Sequence, residues 1–300
     1  YFKTRISERN MHIPALIMCR DEEDTIEKTL HSLQSHVNRI LLYDTGSVDD
    51  TEKVCRDFAV TLPPEISFDF KSGPWIDFAT SRNASLDWAE SFDDAQWILV
   101  LDSNDELRGG EELRRGLAKT SHSALHVARH LKMRDDVVKF KAIRLYDSSH
   151  REKWRFVGVV HEYLTCITDS NVLGGAPLND VVLWQDREPD LRKSASRFSW
   201  DRKVLQKQID EGTADARTHF YLGQTCLMLD LKEDALKAFE RRCAMEGFAP
   251  EGYRARLHCG DLCWRLRRIE EALLWYLRAT VFAEERMQQL RAEGLHACAF

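Results

Sequence analysis

The stretch Gln96-Trp97-Ile98-Leu99-Val100-Leu101-Asp102-Ser103-Asn104-Asp105-Glu106 restricts the fold more than any other part of the chain. Five apolar residues run straight into a cluster of acids and one amide. The run is too short for a membrane helix and too uniformly apolar for a strand with one wet face. It reads as a strand buried on both faces, as at the centre of a parallel sheet. Open α/β sheets bind ligands beyond the carboxyl ends of such strands. Asp102, Asn104, Asp105 and Glu106 there offer hard oxygen ligands suited to Mg²⁺ or Mn²⁺ beside a phosphate. The competing reading is an acidic loop that caps a helix beginning near Glu111.

The residues before this stretch repeat its pattern. Ile13–Cys19 is a first buried strand with Pro14 at its start, followed by Arg20-Asp21-Glu22-Glu23. A helix capped by Asp24 then carries Ile26, Leu30, Leu33 and Val37. Arg39–Tyr43 is a second strand, ending in Asp44-Thr45-Gly46-Ser47, and Asp49 or Asp50 caps the helix after it. Ile66–Phe70 alternates as a third strand, and a helix over 76–90 holds Asp77, Phe78, Arg82 and Asn83. Right-handed crossovers would bring the strand ends to one edge of the sheet. Arg20–Glu22, Asp44 and Asp102–Glu106 are therefore expected to converge, which favours a ligand site over a simple cap.

Beyond residue 107 a helix near 110–119 precedes strand-like runs at 124–131, 138–146 and 154–160, read as hairpins added to the sheet. The last of these delivers His161-Glu162. Val181–Trp184 reads as the final strand, after a loop at Gly174-Gly175-Ala176-Pro177. From about 190 the pattern is helical and repeats: Gly223, Ala235 and Phe239 recur 37 residues later as Gly260, Ala272 and Tyr276. Small residues at these positions let two antiparallel helices approach, with the aromatic side chain between them. Gly294 reads as the start of a third copy, and a plain helical bundle is the alternative. Residues 1–11 read as a polar lead-in.

The formal net charge is −6, and the acidic excess lies in the first two-thirds of the chain. That distribution argues against nucleic acid as the main partner. The eight cysteines form no Cys-x-x-Cys pair, so they read as reduced thiols. No signal peptide or long apolar run is present, and a cytoplasmic location is the expectation. Tyr1 and the helical pattern at Phe300 suggest a fragment of a longer protein.

In order and context, five motifs resemble family 2 glycosyltransferases of the GT-A fold, especially members with C-terminal tetratricopeptide (TPR)-like helices. They are Cys19-Arg20-Asp21-Glu22-Glu23, Asp44–Thr51, Asp77–Asn83, Leu101–Glu106 (where the family carries Asp-x-Asp) and Gly158-Val159-Val160-His161-Glu162. The resemblance implies an α/β fold, with a Rossmann-like, mostly parallel GT-A catalytic domain over 1–188 and an all-α TPR-like domain over 189–300. It also implies transfer of a sugar, with inversion, from a nucleotide-sugar donor, UDP-linked by family frequency, to a glycan, peptide or protein acceptor.

In that reading Arg20, Glu22, Asp44, Arg82 and Asp102 hold the donor. Asp102, Asn104 and His161 hold Mn²⁺ or Mg²⁺, and Glu162 is the base, with Asp105 next in line. The helical repeats would serve a protein partner or a homo-oligomer. There are departures from the family pattern. Asn104 stands at the second Asp of Asp-x-Asp, Asp21 where Asn is usual, and Trp184-Gln185 where related chains often show His. Two other functions compete: a sugar-nucleotide nucleotidyltransferase, which would need a Gly-rich loop absent after Met18, and a degenerate interaction protein, favoured by Asn104.

Overall fold

The computed structural model describes residues 11–133, 135–149, 154–168, 176–187 and 194–292. The chain divides between residues 191 and 192 into two compact units. In chain order the first holds β1 (Pro14–Cys19), α1 (Ile26–Leu33), β2 (Arg39–Asp44), α2 (Thr51–Val60), β3 (Ser67–Ser72), α3 (Phe78–Glu90) and β4 (Trp97–Asp102). It continues with β5 (Asp105–Arg108), α4 (Gly110–Lys119), β6 (Ala124–Met133), β7 (Asp136–Asp147), β8 (Trp154–Val157), β9 (Tyr163–Cys166) and β10 (Ala176–Asp186).

Eight strands form one sheet in the order β3-β2-β1-β4-β7-β6-β10-β5. The first four run parallel, as their apolar runs and helical crossovers require. All six β1 residues are buried because both faces are covered. Ala15 and Ile17 pack with Ile26, Leu30 and Leu33 of α1 in one cluster, while Leu16 packs with Leu86 and Ala89 of α3 in another. Beyond β4 the sheet becomes mixed: β7 joins β4 antiparallel, β6 joins β7 antiparallel, and β10 lies parallel to β6. The fold is thus the expected α/β class, with the added hairpin in place.

The structure corrects two local expectations, the strand at 154–160 and the cap of α1, and decides between the alternatives at two other points. The acids after β4 do not form a loop capping α4; Asp105 opens β5, which pairs antiparallel with β10. The N-cap of α4 is instead Gly109, at φ +79°, where an added Cβ would lie 1.9 Å from the Asp180 carbonyl oxygen. Only glycine meets both demands. The run at 154–160 is strand only to Val157, and β8 pairs with β9 as a separate ribbon. Thr25, not Asp24, precedes α1, and its hydroxyl donates to Glu22 Oε2 at 2.5 Å. Asp50 is the N-cap residue of α2, while Asp49 Oδ1 accepts from the Thr51 backbone N–H at 3.0 Å. The expected features at residues 1–10, Gly174-Gly175 and Gly294 lie outside the described residues.

The second unit holds α5 (Ser194–Asp210), α6 (Ala216–Met228), α7 (Lys232–Cys243), α8 (Ala249–Arg265) and α9 (Ile269–Ala292). The repeat has a direct physical cause. A Cβ on Gly223 would sit 2.6 Å from the Phe239 ring, and one on Gly260 would sit 2.5 Å from the Tyr276 ring. Each aromatic ring therefore lies on bare backbone, and Ala235 and Ala272 are fully buried beside the same contacts. Buried Arg242 ties down the connection between the two copies by donating to the carbonyls of Met245 (3.0 Å) and Phe248 (2.7 Å). Among the described residues no helix is long and apolar enough to cross a membrane, and no disulfide is present.

Gly223→Ala is expected to destabilise the helices by about 1–2 kcal/mol, because overpacking exceeds the gain in helix propensity. Chemical denaturation of the full chain measures this. An unchanged midpoint would mean that the Phe239 ring can move aside.

Candidate active site

Three strand ends meet at one edge of the sheet. In register, Cys19 of β1 lies beside Asp44 of β2, and Met18 lies beside Asp102 of β4. The convergence expected of Asp44 and Asp102 is therefore a property of strand order. Asp44 is buried, and its carboxylate accepts from the backbone N–H groups of Gly46 (3.2 Å) and Ser47 (3.1 Å) and from the Ser47 hydroxyl. Asp21, in a left-handed conformation at φ +51°, accepts from the Val48 N–H at 2.8 Å. The Glu22 backbone N–H donates to the Thr51 hydroxyl at 2.8 Å. These bonds bind the first strand end to the second. Arg20 lies outside them, exposed, with its Nε 3.8 Å from Asp21 Oδ2.

The second half of the site is built on charge. Arg82 of α3, Arg129 of β6 and Arg144 of β7 all point their guanidinium groups at Asp102. Arg82 Nη2 and Arg144 Nη1 (3.3 Å) donate to Oδ1 of Asp102, and Arg129 Nη1 lies 2.8 Å from Oδ2. The three arginines are nearly buried, whereas the Asp102 side chain keeps 22% of its surface exposed. Burial opposes ionisation of Asp102, but Arg144, Arg129 and Arg82 outweigh it and hold its carboxyl well below the usual range.

Asp105 is fully buried. Its carboxylate accepts from the Asp102 backbone N–H (2.8 Å) and from Arg129 Nη2 (2.7 Å). Burial and then the Asp102 charge push its carboxyl up to about 6, against the pull of Arg129 and Arg144. A side chain so placed braces the turn after β4 and offers an acceptor no surface. Glu162 is better disposed: its Oε1 accepts from Arg82 Nε at 2.6 Å, so Arg82 bridges Glu162 and Asp102. Its neighbour His161 is exposed, at φ +50°. Both residues belong to the β8–β9 turn and not to a strand end, so strand alternation does not set their directions. Asn83 fixes that ribbon, donating to and accepting from the Phe156 backbone at 3.0 and 2.8 Å.

Two departures from the family pattern meet in space. The Gln185 amide nitrogen donates to Asn104 Oδ1, and Gln185 is buried. This pairing bears on the divalent cation that Asp102, Asn104 and His161 are expected to hold. Both Asp102 oxygens are taken by guanidinium groups, and the Asn104 oxygen by an amide. Among the described residues no three His, Cys, Asp or Glu side chains gather as a metal-binding group. As they are arranged, the residues present do not fit a divalent cation.

Sequence reasoning missed Arg129 and Arg144. One signal was available for Arg129. Leu125, Val127 and Arg129 share a face of β6, so an arginine stands where the period-two pattern calls for an apolar residue.

The sheet and its switch to mixed pairing after β4 are those of a GT-A-type α/β fold. Residues 15–162 match the model of glycosyl transferase family 2, and the chain carries a domain of that family. Staphylococcus aureus TarS, in a structure of residues 1–349 with UDP-GlcNAc, shares the fold. The TM-score is 0.50 at 12% identity, covering 96% of this chain and 93% of that one. A mannosyltransferase from Pyrobaculum calidifontis, solved with GDP-Man and Mn²⁺, superposes more loosely, with a TM-score of 0.46 at 13% identity over 90% of this chain and 86% of that one. A TPR repeat-containing protein of Synechococcus elongatus is 27% identical over 242 residues, 75% of this chain. The chain spans about half of that relative, 54% of its length.

Arg129→Met is expected to cost about 3–5 kcal/mol, since it leaves buried Asp105 without its cation. Replacing both residues, as Arg129→Met with Asp105→Leu, is expected to recover most of the loss. Urea denaturation tests this. A single variant as stable as wild type would show that Asp105 is held by other contacts.

Proposed function

We propose that this chain is a glycosyltransferase that moves a sugar, with inversion, from a nucleoside-diphosphate donor to a hydroxyl of a glycan, peptide or protein. The observation that carries this reading is the Glu162–Arg82–Asp102 bridge. It joins the late His-Glu turn to the strand end that carries the Asp-x-Asp-like residues, in a family 2 domain. UDP-sugars are the favoured donors, in keeping with the UDP-GlcNAc held by TarS in the same fold.

Asp44, at the end of β2, and Glu22, in the turn after β1, sit at the nucleoside end, and Asp102, at the end of β4, faces the donor. Transfer displaces a diphosphate at the anomeric carbon, so negative charge grows on the leaving oxygen while the acceptor hydroxyl loses a proton. Glu162 takes that proton, held in place by Arg82 Nε. The neighbouring guanidinium groups face the charge that develops on the diphosphate. The Mn²⁺ or Mg²⁺ common in this fold enters no step here, because the side chains do not present it with a ligand set. The helices after residue 194 are assigned to the acceptor or to a protein partner, as befits a TPR-like repeat.

Glu162→Gln is expected to lower kcat about 100-fold or more while leaving nucleoside-diphosphate affinity unchanged, since the amide cannot take the proton. Turnover of a nucleotide-sugar panel, read alongside calorimetric affinity, tests it; near-normal turnover would place the base elsewhere. A chain ending near residue 190 is expected to lose transfer to acceptor more than donor hydrolysis. Equal loss of both would mean that the helices only stabilise the fold.

A further inference from the structure

Three guanidinium groups converge on Asp102, and two of them also pair with other carboxylates, Arg82 with Glu162 and Arg129 with Asp105. Asp102 has two oxygens, and four guanidinium nitrogens from Arg82, Arg129 and Arg144 lie within 3.5 Å of them. Two further nitrogens in the cluster, Arg82 Nη1 and Arg129 Nε, are buried and have no acceptor among the described residues. Buried N–H groups are almost always satisfied, so these two call for an acceptor that no described residue supplies. The cluster meets solvent through Asp102, at the carboxyl edge of the parallel strands where ligands bind in this kind of sheet. Arginine forks match the paired oxygens of a phosphate and stay charged at any working pH.

The positions that would otherwise hold a cation are occupied in a different way. Asn104 and Gln185 pair amide to amide, and neither brings a charge. A metal site at this edge would have to break that pair and displace guanidinium groups from Asp102. A diphosphate needs neither change to Asn104 nor a second ligand set, since the arginines are already assembled.

We propose that Arg82, Arg129 and Arg144 form the donor's diphosphate site and that nucleoside-diphosphate binding requires no divalent cation. The proposal rests on the glycosyltransferase reading and names what holds the leaving group in it. In this arrangement Asp102 gathers the three forks at one point before the donor arrives, and the phosphate oxygens share the same nitrogens when it is bound. Arg129 and Arg144 are thus donor-binding residues beside Arg82.

The test is titration calorimetry of the full chain with UDP, GDP, CDP and ADP, once in excess EDTA and once in MnCl₂. At least one of the four is expected to bind in EDTA, with a Kd within roughly threefold of its value in Mn²⁺. Arg144→Gln is expected to weaken that binding about tenfold or more, the equivalent of one charge-assisted hydrogen bond. Arg144→Lys, which keeps the charge and loses the fork, is expected to fall between the two and serves if the glutamine variant does not fold. Binding seen only with Mn²⁺ would overturn the proposal and leave the glycosyltransferase reading standing. So would wild-type affinity in a folded Arg144→Gln or Arg144→Lys protein. Failure of all four nucleotides in both buffers would overturn both.

Discussion

Everything at the working edge of this molecule depends on a charge taken out of water and then answered. Asp102 ends a strand that is apolar on both sides, and a carboxylate there would lose most of its hydration. Arginines from α3, β6 and β7 make up that loss, and in doing so they tie a helix and two strands to the end of β4. Asp105, fully buried, shares Arg129 and extends the network to the start of β5. Unlike an apolar contact, such a network tolerates little rearrangement, since each buried charge must keep its partner. The site is rigid because its electrostatics leave few alternatives.

The same constraint separates the two halves of the site. On the nucleoside side, Asp44 is satisfied by the turn that follows it, through the Gly46 and Ser47 N–H groups. The Asp44 carboxylate is thus met chiefly by its own turn, with the Cys19 thiol donating from the neighbouring strand at 3.8 Å. On the leaving-group side, every contact to the Asp102 carboxylate comes from at least twenty residues away in the chain. The Asp44 carboxylate is held mainly by a loop, the Asp102 carboxylate by the tertiary fold.

That difference explains what could be read in advance. The parallel strands, their crossovers and the repeat of the helical unit rest on short-range patterns, and the structure follows them closely. Asp44 and Asp102 were legible because they sit at strand ends. Arg129 and Arg144 were not, because a lone arginine in a strand looks like a solvated residue until its partner across the sheet is known. Asp105 was misjudged for a related reason: a run of acids after a strand suggests a wet loop, whereas here it starts another strand. His161 and Glu162 were found through a motif, but their placement on a separate ribbon depends on where β8 stops, and Gly158 at φ +97° decides that.

The stacking of an aromatic ring on a glycine in the helical unit has a consequence for how such a chain can vary. Gly223 meets Phe239 across the short link between α6 and α7, and Gly260 meets Tyr276 across the link between α8 and α9. Neither contact involves residues 244–248, which join one helical hairpin to the next. Insertions or deletions there change the pitch from one hairpin to its neighbour without altering which side chains meet inside either. The length of the repeat is therefore free to drift, while the internal spacing of each hairpin is held by a single ring that fits only where there is no side chain beneath it.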